Sequence, residues 1–320
     1  MLAYVWSIVL IVLQKRLTRP TIPIKAIGVW DTVGSLGIPT MKLFGIPLHT
    51  DTVVEFSFIN TEVAANIEYA YQALALDEKR TPFEPTIWES PDPAKSTLKL
   101  MKQTWFPGVH TNIGGGYTDT SIADITLAWM ITQLSRHLTF DTSYITLQRE
   151  QNEDFYRRVK SDVKAWAMGL IQDSSTGFLN TLTGRSTRTP GEYHPTDPDT
   201  GKPLLRKMAK TCEFIHPSVR YRIEQHGAGL AESSNDKIGK GEYHPTALKD
   251  WNFEKAGSKG AEVGGKKWEH YGKWIVDRPD GSQTFIVEEN IEEGTAEMEL
   301  LKGWKNYGVQ DKLYPELVTI

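Results

Sequence analysis

Residues 22–37 read IPIKAIGVWDTVGSLG, and this stretch decides the fold class. Its first nine residues, Ile22–Trp30, form a short and mostly apolar run, and the residues that follow favour a turn. An apolar run of this length bounded by turn residues is typical of a buried central strand in an α/β protein. The strand is predicted to end at Asp31, the first residue of the turn Asp31–Gly34.

A second stretch repeats this arrangement further along the chain. Lys99–Val109 (KLMKQTWFPGV) is predicted to be a strand that runs directly into His110. A helix is predicted over Asp124–Leu134, because its apolar residues fall on one face, and another over Asn60–Asp77, from similar spacing. Strands alternating with loops and helices favour a parallel sheet with flanking helices.

Composition and charge exclude several functional classes. The 320 residues carry a net charge of -4, so no global basic field would attract nucleic acid. Cys212 is the only cysteine and cannot form an internal disulfide, which favours a reducing, cytoplasmic location. Gly114–Gly116 match neither a dinucleotide-binding nor a phosphate-binding loop. His194 and His244 have no carboxylate or thiol at ligand spacing, so the sequence predicts no cofactor and no metal.

The amino-terminal segment Met1–Leu13 is apolar except for Ser7. It is shorter than the roughly 20 residues that a spanning helix needs. Lys15, Arg16 and Arg19 follow the run, whereas a signal peptide has its positive charge in front. We expect a buried core segment here. A signal anchor or interfacial segment, with peripheral membrane contact through residues 1–13, and a misjudged gene start are the alternatives.

Two polar residues fall at the carboxyl ends of predicted strands, where ligands bind in parallel sheets. A carboxylate at Asp31 could accept an imidazole N–H, and a neutral His110 could act as a general base. A turn aspartate and a hydrogen-bonded loop histidine are the alternatives. The two residues are 110 − 31 = 79 positions apart, in the order acid then base that α/β hydrolases use. His216, within EFIHPSVR (213–220), is a rival histidine.

Five longer motifs occur in order along the chain: GVWDTVGSLG (28–37), ALALDEKR (73–80), WFPGVH (105–110), GGGY (114–117) and ADITLAWM (123–130). Together they resemble the DUF2235 family, the α/β-hydrolase domain of type VI secretion phospholipase effectors of the Tle1 kind. The resemblance is strongest over about residues 22–135, and EFIHPSVR is similar to the fungal branch.

The resemblance implies a Ser-Asp-His triad that hydrolyses phospholipid or related esters. By motif, Asp31 is similar to the triad acid and His110 to the triad base, with His216 as the rival. The sequence departs from the family pattern in three places. Gln72 stands where the family often has a histidine, and Thr111-Asn112 stand where it usually has Ser-Asp. No Gly-Phe-Ser-Arg-Gly nucleophile elbow precedes Asp31. We therefore expect the chain as written to be inactive as an esterase. The alternative is a non-catalytic hydrolase remnant that serves as a binding or interaction module.

The expected fold is thus a partial α/β-hydrolase-like parallel sheet with flanking helices and a small C-terminal appendage. Helices are also expected over Gln151–Leu170 and Glu288–Leu301, and a strand over Ser282–Val287. The segments are an apolar N-terminal stretch (1–21), the hydrolase-like core (22–140), a helical and turn-rich extension (141–226), a flexible Gly-rich insert (227–267) and a strand-plus-helix C-terminal region (268–320).

Overall fold

The computed structural model describes residues 22–33, 42–43, 46–47, 62–173, 184–195, 203–231, 239–255, 261–263, 266–268 and 272–314. The apolar segment Met1–Leu13 lies outside these residues, as do parts of the Gly-rich stretch 227–267. The strands are β1 (Ile24–Trp30), β2 (Lys42–Leu43), β3 (Ile46–Pro47), β4 (Ile67–Ala75), β5 (Leu100–Phe106), β6 (Glu213–Ile215), β7 (Asn252–Glu254), β8 (Ala261–Val263), β9 (Lys266–Trp268), β10 (Lys273–Asp277) and β11 (Gln283–Glu288). The α-helices are α1 (His110–Gly114), α2 (Ser121–Leu134), α3 (Ser143–Arg158), α4 (Pro217–Glu224), α5 (Ala296–Lys302) and α6 (Val309–Leu313). Single 3-10 turns cover Thr81–Phe83, Thr246–Leu248 and Lys305–Tyr307.

One seven-stranded sheet has the order β1-β4-β5-β6-β11-β10-β7. The strands from β1 to β11 in that order run parallel, and β10 is antiparallel to both of its neighbours. This mostly parallel sheet with flanking helices confirms the expected α/β class. The strands predicted around Ile22–Trp30 and Lys99–Val109 lie in this sheet, separated by β4. Their carboxyl ends therefore lie at the same sheet edge. The central, buried position expected for Ile22–Trp30 was wrong, because β1 is the first strand of the described sheet and its residues are at most half-buried.

The helix predicted over Asn60–Asp77 was wrong, because Ile67–Ala75 forms the strand β4. β4 lies between β1 and β5, and Tyr71, Ala73 and Leu74 are completely buried. A strand covered on both faces carries apolar residues at consecutive positions and loses the alternation that marks a half-exposed strand. Its apolar spacing then also fits a buried helix, so periodicity alone cannot separate the two.

The helix predicted over Asp124–Leu134 is confirmed and begins slightly earlier, at Ser121. α2 packs on the sheet through the largest hydrophobic cluster, which includes the buried Trp129 and Met130. Gly28 on β1 permits this approach, because a Cβ atom there would lie 2.5 Å from the Met130 sulfur. The helix therefore covers the strand that ends in Asp31.

Two other predicted helices have different bounds in the structure. The segment Gln151–Leu170 is helical only to Arg158, where α3 ends. Lys160 takes a left-handed φ of 54°, and the N–H of Ser161 donates to the carbonyl of Tyr156, which closes the helix end.

The acidic segment Glu288–Leu301 divides between two elements. It contains the last residue of β11 and most of α5, whose start is capped by the Thr295 hydroxyl accepting the Met298 N–H.

The C-terminal region contains the expected strand and helix together with the unpredicted strand β10, but it is not an appendage. β11 pairs in parallel with β6 through Val287 opposite Phe214, and β10 continues the same sheet. The strand predicted over Ser282–Val287 is confirmed, and it extends the sheet that carries Asp31 and His110.

Within the part of the chain that the structure describes, no helix is both long and apolar enough to cross a membrane.

Candidate acid–base site

Asp31 occupies the turn that ends β1. It is completely buried and takes a left-handed φ of 43°, a conformation that aspartate tolerates better than most residues. Its N–H donates to the carbonyl of Ala73 (2.7 Å), and its Oδ1 accepts the N–H of Ala75 (2.9 Å). The carboxylate is therefore fixed against the end of β4.

Gln72 helps to hold this turn from the middle of β4. Its Oε1 accepts the Thr32 hydroxyl at 3.0 Å, and its Nε2 donates to the carbonyl of Thr86 at 3.0 Å. The residue that departs from the family motif is thus buried with both ends of its amide hydrogen-bonded. It connects the residue after Asp31 to the next loop.

His110 follows β5 and begins α1. Its Nδ1 lies 2.7 Å from Oδ2 of Asp31, so the proximity predicted from sequence is confirmed. Opposite an ionised carboxylate, Nδ1 carries the proton, which makes Nε2 the free acceptor atom of the ring. The His110 side chain is 32% exposed while that of Asp31 is completely buried. The pair is therefore accessible only from the histidine side.

The side chain of Arg188 forms a two-pronged ion pair with Asp31. Nη1 donates to Oδ1 and Nη2 to Oδ2, both at 3.1 Å. Burial alone would raise the pKa of Asp31, but the charge of Arg188 and the hydrogen bonds from His110, Ala75 and Arg188 together lower it. Sequence reasoning missed Arg188, because no periodicity or motif marks it.

Glu78 holds the main chain of His110. Its Oε2 accepts the His110 N–H at 3.2 Å, and its carboxylate also pairs with the Arg80 guanidinium at 2.9 and 3.0 Å. Arg80 lies 3.6 Å above the Phe83 ring, and the Phe83 and His110 rings lie 5.0 Å apart between centroids, with their planes inclined by 70°. Glu78 and Phe83 therefore fix the position of His110.

Asp77 fixes the turn between β5 and α1. Its Oδ2 accepts the Gly108 N–H and the Tyr243 hydroxyl, each at 2.7 Å, and burial raises its pKa to about 6. Gly108 takes φ 122°, and a Cβ there would lie 2.7 Å from the Cβ of Asn112. This turn therefore requires glycine, and its conformation places the His110 side chain next to Asp31.

Asn112 and Thr111 replace the Ser-Asp pair of the family motif. Oδ1 of Asn112 accepts the Val109 N–H at 3.2 Å, and its Nδ2 donates to the carbonyl of Leu170 at 3.1 Å. Asn112 is buried, so this replacement supports the start of α1 and does not face solvent.

The rival histidine, His216, occupies a different place. It follows β6 and caps α4, where its Nδ1 accepts the Ser218 N–H at 3.1 Å. The Ser218 hydroxyl also lies 2.7 Å from Nδ1, and Nε2 lies 3.1 Å from Glu297. This Ser-His-Glu series imitates a triad, but His216 and Ser218 are completely buried and burial lowers the pKa of His216 to about 3. The structure therefore places it in the core, with no contact to Asp31.

No group of three His, Cys, Asp or Glu side chains among the described residues has the geometry to hold a metal ion. The Asp31–His110 pair can hold and move a proton, and it needs no metal to do so.

The comparisons with known proteins agree with the motifs. Residues 11–133 match the family model of the catalytic domain of the type VI secretion system (T6SS) phospholipase effector Tle1-like proteins, which confirms the resemblance inferred from sequence. The matched range includes Asp31, Glu78 and His110 but not Arg188. No curated protein and no solved structure matches the chain.

Proposed function

We propose that this chain carries the acid–base part of a lipid-ester hydrolase site, with phospholipid esters as the substrate class. The observation that carries the proposal is the 2.7 Å contact between Asp31 and His110 at the carboxyl edge of the sheet. The match of residues 11–133 to a phospholipase effector domain supports the substrate class.

In this scheme Asp31 and His110 have different roles. Asp31 holds the Nδ1 proton of His110, so Nε2 is the general base. Nε2 takes the proton of a hydroxyl nucleophile as its oxygen attacks the ester carbonyl carbon. The imidazolium that forms is stabilised by Asp31, and it then returns the proton to the oxygen of the leaving alcohol. The scheme requires no cofactor.

The nucleophile is the part that the 320 residues do not supply in recognisable form. No serine has glycine two positions before and two after, as the strained nucleophile elbow requires. Ser258 comes closest, with Ala256 and Gly260, but it follows both Asp31 and His110 in the chain. This observation favours the second candidate function, a non-catalytic remnant that binds lipid without turning it over.

One experiment separates the two candidates. The genomic DNA immediately upstream is translated, and any in-frame Gly-x-Ser-x-Gly segment is added to the chain. The extended and the 320-residue proteins are then assayed for fatty-acid release from phosphatidylglycerol and phosphatidylcholine vesicles. The hydrolase proposal expects turnover from the extended chain, with a loss of about 1,000-fold or more in His110→Gln. His244→Gln is the matched control, since His244 is exposed and lies outside the site.

Two results would contradict the hydrolase proposal. The first is turnover that His110→Gln leaves unchanged. The second is the lack of an upstream Gly-x-Ser-x-Gly segment together with vesicle binding by the 320-residue chain. The first result would show that His110 is not the base, and the second would favour the binding module.

We propose a cytoplasmic protein, and for residues 1–13 we propose peripheral lipid contact, the alternative to the buried core segment expected from sequence. Thirteen helical residues span about 20 Å, against a hydrocarbon core of about 30 Å. A chain lacking residues 1–13 should sediment less with phospholipid vesicles. Membrane retention that resists carbonate and depends on residues 1–13 would contradict peripheral contact.

A further inference from the structure

The contact between Arg188 and Asp31 joins two distant parts of the chain. The two residues are 157 positions apart, and Arg188 lies outside the residues that match the family model. We propose that Arg188 is a positioning residue that orients the Asp31 carboxylate and thereby keeps the His110 proton on Nδ1. This inference rests on the proposed role of His110 as the base.

The geometry leaves the carboxylate one orientation. Each Asp31 oxygen accepts one prong of the guanidinium at 3.1 Å, and a planar fork of this kind fixes the plane of its partner. Oδ2 is shared between Arg188 and His110, while Oδ1 is shared between Arg188 and Ala75. Nη2 of Arg188 also donates to the carbonyl of Phe83 at 2.6 Å. Neither charged group is free to rotate.

The segment that carries Arg188 is itself fixed on both sides. Before Arg188, the Ser186 N–H donates to the carbonyl of Lys79, and the Thr81 N–H donates to that of Gly184. After it, the Gly191 N–H donates to the buried Glu213 carboxylate at 2.9 Å.

An aromatic contact holds the same side of the segment. The Tyr193 ring stacks on the buried Trp105 of β5, with the two rings inclined by 15°. Arg188 therefore reaches Asp31 from a preformed loop.

Removal of the guanidinium leaves a buried carboxylate with two donors, the Ala75 N–H and His110. A carboxylate in that position has two ways to relieve its charge. It can take up a proton and donate it to Nδ1, which moves the imidazole proton to Nε2. Alternatively it can stay ionised and pair with a doubly protonated imidazolium. In both states Nε2 of His110 carries a proton and cannot act as the base, so removal of the guanidinium should raise their population relative to the neutral Nδ1–H form.

The test measures which nitrogen of the His110 imidazole is protonated, and it does not depend on turnover. The full 320-residue chain is labelled with ¹⁵N-histidine, and long-range ¹H–¹⁵N correlation spectra at pH 7 report which ring nitrogen is protonated. The His110 signals are assigned by their loss in His110→Gln. In the wild-type protein we expect Nδ1 protonated and Nε2 unprotonated. In Arg188→Met we expect a protonated Nε2.

Two controls make the result specific. Arg206→Met removes a similar two-pronged pair, with Glu89, at an exposed position, and should leave the His110 signals unchanged. His216, whose Nδ1 accepts and whose Nε2 donates, is an internal reference for the integrity of the core.

An unprotonated Nε2 in folded Arg188→Met would overturn the inference. If Arg188→Met does not fold, a second variant decides. An uncharged polar side chain tests the same point, so Arg188→Gln is the variant to use. Glutamine removes the positive charge beside Asp31, so protonation at Nε2 should increase, and an unchanged wild-type pattern would overturn the inference. If the proton moves as expected but no form of the chain hydrolyses lipid, the role of Arg188 at Asp31 stands and the proposed function fails.

Discussion

Glu78 accepts the backbone N–H of His110, while Asp31 accepts the ring N–H of the same residue. The main chain and the side chain of His110 are thus held by two different carboxylates, which come from the ends of β4 and β1. A base held at both points keeps its ring orientation without help from the substrate.

Replacing Glu78 by alanine should therefore destabilise the fold as well as the site. The variant leaves the Arg80 guanidinium and the His110 N–H without this acceptor, in a place where the Glu78 side chain is completely buried. We expect the free energy of unfolding to fall by about 2–4 kcal/mol. Urea unfolding measures it, and Glu293→Ala, at an exposed ion pair with Lys302, is the control that should change little. Equal effects of the two variants would contradict the structural role of Glu78.

A second prediction concerns the pH dependence of stability. Glu297 on α5 is buried, and burial, followed by the charge of Glu289, raises its pKa to about 8. Lys102, Glu292 and Thr132 also act on this carboxyl group. Between its ordinary pKa and about 8 the folded state binds a proton that the unfolded state has released. The stability that Glu297 contributes is therefore complete at low pH and is lost as pH rises through this window.

Glu297→Gln should remove this loss. We expect the glutamine variant to match the wild type near pH 5 and to exceed it in free energy of unfolding at pH 8 and 9, as measured by urea unfolding. Glu299→Gln, at an exposed position on the same helix, should leave the pH profile unchanged. A wild-type profile that is flat from pH 5 to 9 would contradict the prediction.

Substitution of the two candidate histidines should change the free energy of unfolding by different amounts. His216→Asn should lower the free energy of unfolding by about 1–3 kcal/mol, because it removes a buried ring from the core and its hydrogen bond to Glu297. His110→Asn should change it by less than about 1 kcal/mol, since the ring is partly exposed and Asp31 keeps Arg188. Chemical denaturation of both variants measures this contrast, and the reverse order would contradict the core position of His216 and the partly exposed position of His110.

The sequence predicted the Asp31–His110 pair because both residues follow strands, and parallel strands bring their carboxyl ends to one edge. It did not predict β4, because two-sided burial removes the alternation on which strand prediction depends. Neither strand position nor periodicity identifies Arg188 in the sequence. Its neighbours Thr187, Thr189 and Pro190 form no periodic pattern, and only the folded chain shows that this arginine is buried against an aspartate 157 positions earlier.

The last prediction concerns the nucleophile. Acyl transfer through a triad needs a serine on a strained strand-to-helix turn, and no serine of the 320 residues has that sequence context. Ser218 is hydrogen-bonded to a histidine, but it is completely buried and its partner His216 is the cap of α4. The purified 320-residue chain should therefore show no labelling by a serine-directed fluorophosphonate and no turnover of p-nitrophenyl esters, as mass spectrometry and absorbance would measure. Stoichiometric labelling of any serine would refute this, and the labelled position would identify the residue from which His110 takes its proton.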